Sequence, residues 1–126
     1  MPTDTAVADK TATTQQVFEH HLQAFALGLD ALVSDFTEQS VIQLPDKTLR
    51  GLTEIRQFYS DFLGSIQPGF WESFHIRRQA VEGHTAYLVW DAKPFVSMAT
   101  DTLYISNGKI LVQTFTPFAA ASNACG

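Results

Sequence analysis

The sequence predicts a single α+β domain, a cone-shaped roll of three N-terminal helices on a curved, mostly antiparallel sheet, in the order α-α-β-α-β-β-β-β. Three observations carry this. Apolar residues recur with helical period in three stretches before residue 64. Beyond residue 70 the pattern changes to long strands separated by turn residues. Asn107-Gly108, a pair suited to the positive φ of a type I′ turn, joins the last two of these strands into a hairpin. Three helices cannot bury their stripes alone and a meander needs one covered face, so helices on one side of the sheet satisfy both.

The elements follow in order. Residues 1–12 are small and polar and read as a disordered tail. From Thr13, Phe18, Leu22, Phe25 and Leu29 recur at i, i+4, i+7 and i+11, with Val17 and Ala24 widening the stripe and Gly28 ending the helix. Asp30 reads as the N-cap of a short second helix carrying Leu32, Val33 and Phe36. Residues 41–45 form a strand that stops at Pro45. After Gly51 a third helix has Thr53 or a neighbour as cap and Glu54 in its first turn, and it buries Ile55, Phe58, Tyr59 and Phe62. Gly64, Pro68 and Gly69 break the chain. Strands are then expected over 70–81, 84–91, 95–106 and 109–118, with a turn at Glu82-Gly83 and an interruption at Lys93-Pro94. The globular domain is thus residues 13–118, and 119–126 are a small-residue tail.

Composition narrows the function classes. At 126 residues the chain suits one domain, and 45% hydrophobic with 17% charged residues is a globular balance. Ten Phe, three Tyr and two Trp supply enough aromatic surface to fill a core and line an apolar pocket. A net charge of −5, with no basic cluster beyond Arg77-Arg78, argues against nucleic acid as a partner. The start of the chain lacks a positive region followed by an apolar run, so no signal peptide or membrane span is expected. The single cysteine, Cys125, excludes an intrachain disulfide and fits a reducing, cytoplasmic setting.

Two stretches carry a family resemblance. FALGLDALVSDFTEQSVIQLPDKTLRGLTEIRQFY (25–59) has a helix ending near Gly28, then Leu29-Asp30-x-Leu32, a strand ending in Pro45, Gly51, and Ile55 with Phe58-Tyr59. ATDTLYISNGKILVQTF (99–115) has Asp101 ahead of the Asn-Gly turn and its return strand. Over residues 13–118 the chain resembles the nuclear transport factor 2-like superfamily, which includes ketosteroid isomerases and SnoaL-like polyketide cyclases. The resemblance implies a deep, mostly apolar pocket between helices and concave sheet, no cofactor, and a homodimer through the sheet face.

It also directs attention to particular residues. Asp101 matches the place where ketosteroid isomerases hold a protonated aspartic acid in the cavity, and would act as acid or proton donor. His21 lies on the apolar stripe of the first helix and matches, after a one-residue deletion near Gly28, the helix position of a cavity tyrosine. It is the candidate base or second donor. The deletion leaves His20, about 100° away around the helix, as an alternative. Leu44 stands where the isomerases place a general-base aspartate, so their steroid proton transfer is not expected here. Period-2 alternation puts Gln113 beside Leu111 and Phe115, as an amide that orients Asp101 or binds ligand. It also groups Phe74, Ile76 and Arg78 on one face and His75 with Arg77 on the other. Trp90, Phe115, Leu44, Phe58 and Phe25 are expected to line the pocket.

No two histidines are spaced i, i+4 and no cysteines cluster, so no metal is expected. Phosphate-binding glycine loops and a G-x-S-x-G elbow are missing from the sequence. The leading expectation is a cofactor-free isomerase, cyclase or dehydratase acting on an apolar carbonyl compound. A non-catalytic ligand carrier and a dimeric protein-interaction module are the alternatives.

Overall fold

A computed structural model describes the backbone of residues 3–119 and the side chains of residues 13–118. Cys125 and most of the expected C-terminal tail lie outside the described residues. The elements are α1 (Thr3–Leu27), α2 (Leu29–Val33), β1 (Phe36–Gln43), β2 (Thr48–Arg50), α3 (Gly51–Ser65), α4 (Phe70–Ser73), β3 (Phe74–Glu82), β4 (Thr85–Ala92), β5 (Val96–Ser106) and β6 (Lys109–Ala119).

α1 begins at Thr3, so residues 3–12, expected as a polar tail, have helical backbone. From Thr13 its inward stripe is Val17, Phe18, His21 and Ala24, all buried. Gly28 ends it at φ 114°, a conformation that disfavours any side chain, and its N–H donates to Ala24 O at 2.9 Å. The same glycine caps α2, so Asp30 is not the N-cap but an exposed first-turn residue paired with Arg56 at 2.9 Å. Phe36, expected in the second helix, instead opens β1 and is buried. The alternation of β1 slips between Phe36 and Val41, where Ser40 Oγ accepts from Thr37 N and donates to Ile110 O at 2.6 Å. A bulge that leaves backbone groups unpaired is satisfied there by a hydroxyl.

α3 starts at Gly51 with Arg50 as cap residue, ahead of Thr53. Two glutamates serve its first N–H groups: Glu54 accepts from Arg50 N at 2.7 Å, and Glu38 of β1 accepts from Leu52 N at 3.1 Å. Gly51 has φ 83°, and a Cβ there would stand 3.1 Å from Glu38 Oε1. Both facts call for glycine.

The strand expected over 70–81 is divided. Gly69, at φ 89°, turns the chain into the short α4, and β3 begins only at Phe74. The aromatic residues Phe70 and Trp71 favour a strand locally, but burying Phe70 against the helices needs the turn. Asn107 (φ 53°) and Gly108 (φ 74°) form the hairpin turn.

The six strands form one curved, open sheet in the order β2-β1-β6-β5-β4-β3. Only β1 and β6 are parallel; the other neighbours are antiparallel. Register shifts at Ile76/Arg78, Trp90/Ala92 and Val96/Met98 bend the outer strands. The first of these breaks the expected alternation: Arg78 leaves the face of Phe74 and Ile76 and lies over the Tyr87 ring at 5.6 Å. A further shift at Tyr104/Ile105 buries Ile110 fully, while Leu111 is only partly covered. The helices cover the concave face, and the core is the layer between them, from Phe18, Leu32 and Ile55 to Leu103, Ile105 and Ile110.

Candidate functional site

On the concave face, three neighbouring strands bring polar side chains together. Asp101 of β5 stands opposite Leu88 of β4 and Phe115 of β6. Trp90 and Gln113 are each two residues from those positions, so both meet Asp101 diagonally on the same face. Trp90 Nε1 donates to Asp101 Oδ2 at 2.9 Å, and Gln113 Nε2 donates to Asp101 Oδ1 at 2.9 Å. From α3, the Tyr59 hydroxyl donates to Gln113 Oε1 at 2.9 Å. All four side chains are buried.

These groups face a cavity of about 90 Å³ whose wall is otherwise almost entirely apolar. Phe25 of α1, Phe58 of α3, Trp90 of β4 and Phe115 of β6 line it, with His21, Gln113 and Asp101. Trp71 of α4 is its most exposed lining residue and packs on Phe25 at 5.7 Å between ring centroids. Leu44 does not line the cavity. It lies past the end of β1, packed on the rim of the core with its N–H donating to Lys47 O. The strand ends one residue too early to aim it inward, which removes it from the pocket set.

Burial pushes the Asp101 carboxyl up to about 6, and the Trp90 and Gln113 N–H groups limit that rise. Both oxygens accept hydrogen bonds from donors, an arrangement that suits the carboxylate. Near neutral pH Asp101 is therefore mostly ionised and can take a proton, which differs from the protonated donor implied by the resemblance. Burial, reinforced by the neighbouring His20, lowers His21 to about 4, so its imidazole is neutral. His21 Nδ1 is buried without a hydrogen-bond partner, and its ring stands edge-on to Phe25, Phe36 and Tyr59. His20 turns to the other side and holds Asp35 at 2.8 Å, so His21 is the histidine at the cavity. Burial also raises Tyr59 well above the usual phenol value, with the Asp101 charge adding to the effect.

Sequence reasoning placed Tyr59 on a buried stripe but gave it no role. A buried tyrosine hydroxyl needs a partner, and that requirement was the available signal. Trp71 was hidden because residues 70–81 read as one continuous strand. His75 and Arg77 stand 3.7 and 3.6 Å from Asp91, away from Asp101. Among the described residues no group of three His, Cys, Asp or Glu is placed to hold a metal. Nor is any described helix long and apolar enough to cross a membrane.

No family model matches this chain, and no curated protein matches it. Solved structures do. An NTF-2-like protein of unknown function from Burkholderia xenovorans LB400 superposes with a TM-score of 0.69 at 18% identity, covering 87% of this chain and 86% of that one. A SnoaL-like protein of unknown function from Burkholderia thailandensis gives 0.64 at 14% identity, over 84% and 94%. An LEH-like epoxide hydrolase from M. tuberculosis gives 0.63 at 14% identity, over 85% and 84%. The chain has the nuclear transport factor 2-like fold. Neighbours with such different descriptions make that fold a scaffold and leave the reaction to the site.

Proposed function

We propose that the domain binds a small apolar molecule in the cone and transfers a proton on it without a cofactor, with Asp101 as the base. The observation that carries this is one buried carboxylate, fixed through both oxygens by Trp90 and Gln113, in the wall of an aromatic cavity. A base with a value near 6 is matched to neutral-pH chemistry, because it is ionised yet still basic. Isomerisation, cyclisation and dehydration of a carbonyl compound all begin with such a proton removal. Neutral His21, at the same cavity, is the second polar group a substrate would meet.

The test is deuterium exchange next to the carbonyl of small cyclic ketones in D2O, followed by NMR. The wild type is expected to accelerate exchange, and Asp101→Asn to lose about 100-fold or more of that acceleration. Equal rates with and without protein reject the catalytic reading. Leu44 favours a second reading, a ligand carrier, because no carboxylate stands at the end of β1. Ligand-induced thermal stabilisation without exchange would support it.

The outer face of β5 and β6 supports a homodimer. Tyr104 and its partner Val112 are exposed there, with Phe118 further along β6. Exposed apolar residues grouped on one sheet face favour association. Sedimentation is expected to give a dimer for the wild type and a monomer for Val112→Glu.

A further inference from the structure

The hydrogen bonds of the pocket have a direction. An indole N–H only donates, so Trp90 presents a hydrogen to Asp101 Oδ2. The Gln113 amide is engaged at both ends, its oxygen by the Tyr59 hydroxyl and its nitrogen by Asp101 Oδ1. Every hydrogen in the series from Tyr59 through Gln113 to Asp101, and from Trp90 to Asp101, points toward the carboxylate. Asp101 is the terminal acceptor of the network.

This polarity constrains what can bind. A carboxylate has about four lone-pair sites, of which Trp90 and Gln113 occupy two. A ligand carbonyl brought to the remaining sites would set lone pairs against lone pairs. A ligand hydroxyl would complete the set with a charge-assisted hydrogen bond, stronger than a neutral one. The remaining wall offers mainly ring edges and faces, from Phe25, Phe58, Trp90 and Phe115. A cavity of about 90 Å³ is also tight. One of about 150 Å³ holds a benzene ring, so nothing larger than a single ring is accommodated, and that ring must extend past exposed Trp71.

We propose that the ligand of this pocket is a compact planar ring carrying a hydroxyl group, a phenol or cyclic enol, which it donates to Asp101. This rests on Asp101 being the working group of the pocket, as in the function proposed above. It adds the ligand's polarity: a donor is selected and a bare carbonyl or ether is discriminated against.

Four single-ring probes test this on the wild-type protein by calorimetric titration: phenol, its methyl ether, toluene and cyclohexanone. Phenol is expected to bind at least about tenfold more tightly than each of the others, the usual size of a charge-assisted hydrogen bond. Across phenols with para substituents of increasing electron withdrawal, affinity for the neutral phenol is expected to rise. In Asp101→Leu the preference for phenol over toluene is expected to vanish. If that variant does not fold, the substituent series on the wild type still decides the matter. Cyclohexanone or the methyl ether binding as tightly as phenol overturns the proposal, as does failure of all four to bind. Phenol selectivity without ketone deuterium exchange leaves this inference standing and rejects the catalytic role. Exchange without phenol selectivity does the reverse.

Discussion

Two residues at the cavity titrate in opposite senses, and their effects on stability oppose each other. His21 has a folded value of about 4 against an ordinary 6.5, so the unfolded chain takes up the proton first. Its contribution to stability falls as pH drops from 6.5 toward 4. Asp101 is raised from 3.8 to about 6, so the folded chain takes up the proton first. Its contribution falls as pH rises from 3.8 toward 6. Between these limits the two slopes, each at most about 1.4 kcal/mol per pH unit, work against each other. His21→Leu removes one of them. Urea unfolding at pH 4.5 to 7 is expected to show the variant gaining on the wild type as pH falls, by up to about 3 kcal/mol. A parallel pair of curves would mean that His21 titrates alike in both states. Near pH 7 the same variant also removes an unpartnered buried nitrogen, which costs about 1–3 kcal/mol where it stands. A histidine kept at that cost fits a role toward ligand. Asp101 was legible through the family resemblance, and Gln113 through the alternation that groups it with Leu111 and Phe115. Gln113 was expected to orient Asp101 or to bind ligand, and it donates to Asp101 Oδ1. The bonds that Trp90 and Tyr59 add were not legible, since they depend on a register and a helix placement that only the folded chain sets.

Among the elements, the α3 start shows how much of a helix boundary lies outside the helix. The sequence offered Thr53 or a neighbour as cap, whereas Arg50 occupies that position and Glu38 arrives from another element to accept Leu52 N–H. A tertiary partner of this kind leaves no local signal. Gly51→Ala is expected to lower stability by about 1–2 kcal/mol from the left-handed conformation alone. Crowding of the Glu38 carboxylate adds to that. Denaturant midpoints of the variant and wild type measure it, and an unchanged midpoint would mean that the turn has rearranged. The same distinction explains α4. Gly69 was visible as a breaker, but the helical turn that follows buries Phe70 and sets exposed Trp71 among the residues lining the cavity. The aromatic residues Phe70, Trp71 and Phe74 favour a strand, and packing overrides them at Phe70 and Trp71.

For the whole molecule, the α+β class and the curved sheet followed from periodicity, turn residues and the two resembling stretches. The parallel pairing of β1 with β6 did not. Nothing in either strand's composition marks it, and it arises because β6 inserts between its hairpin partner β5 and β1, which is far from it in sequence. That position has a consequence for how the chain is made. β2 and β1 form one part of the sheet and β3 to β5 another, and β6 is the seam that joins them. On the ribosome, both parts must wait with open edges until residues 109–119 have emerged. Premature termination after β5 but before Lys109 leaves two unstitched ribbons, each offering a bare strand edge to whatever nascent chain lies beside it.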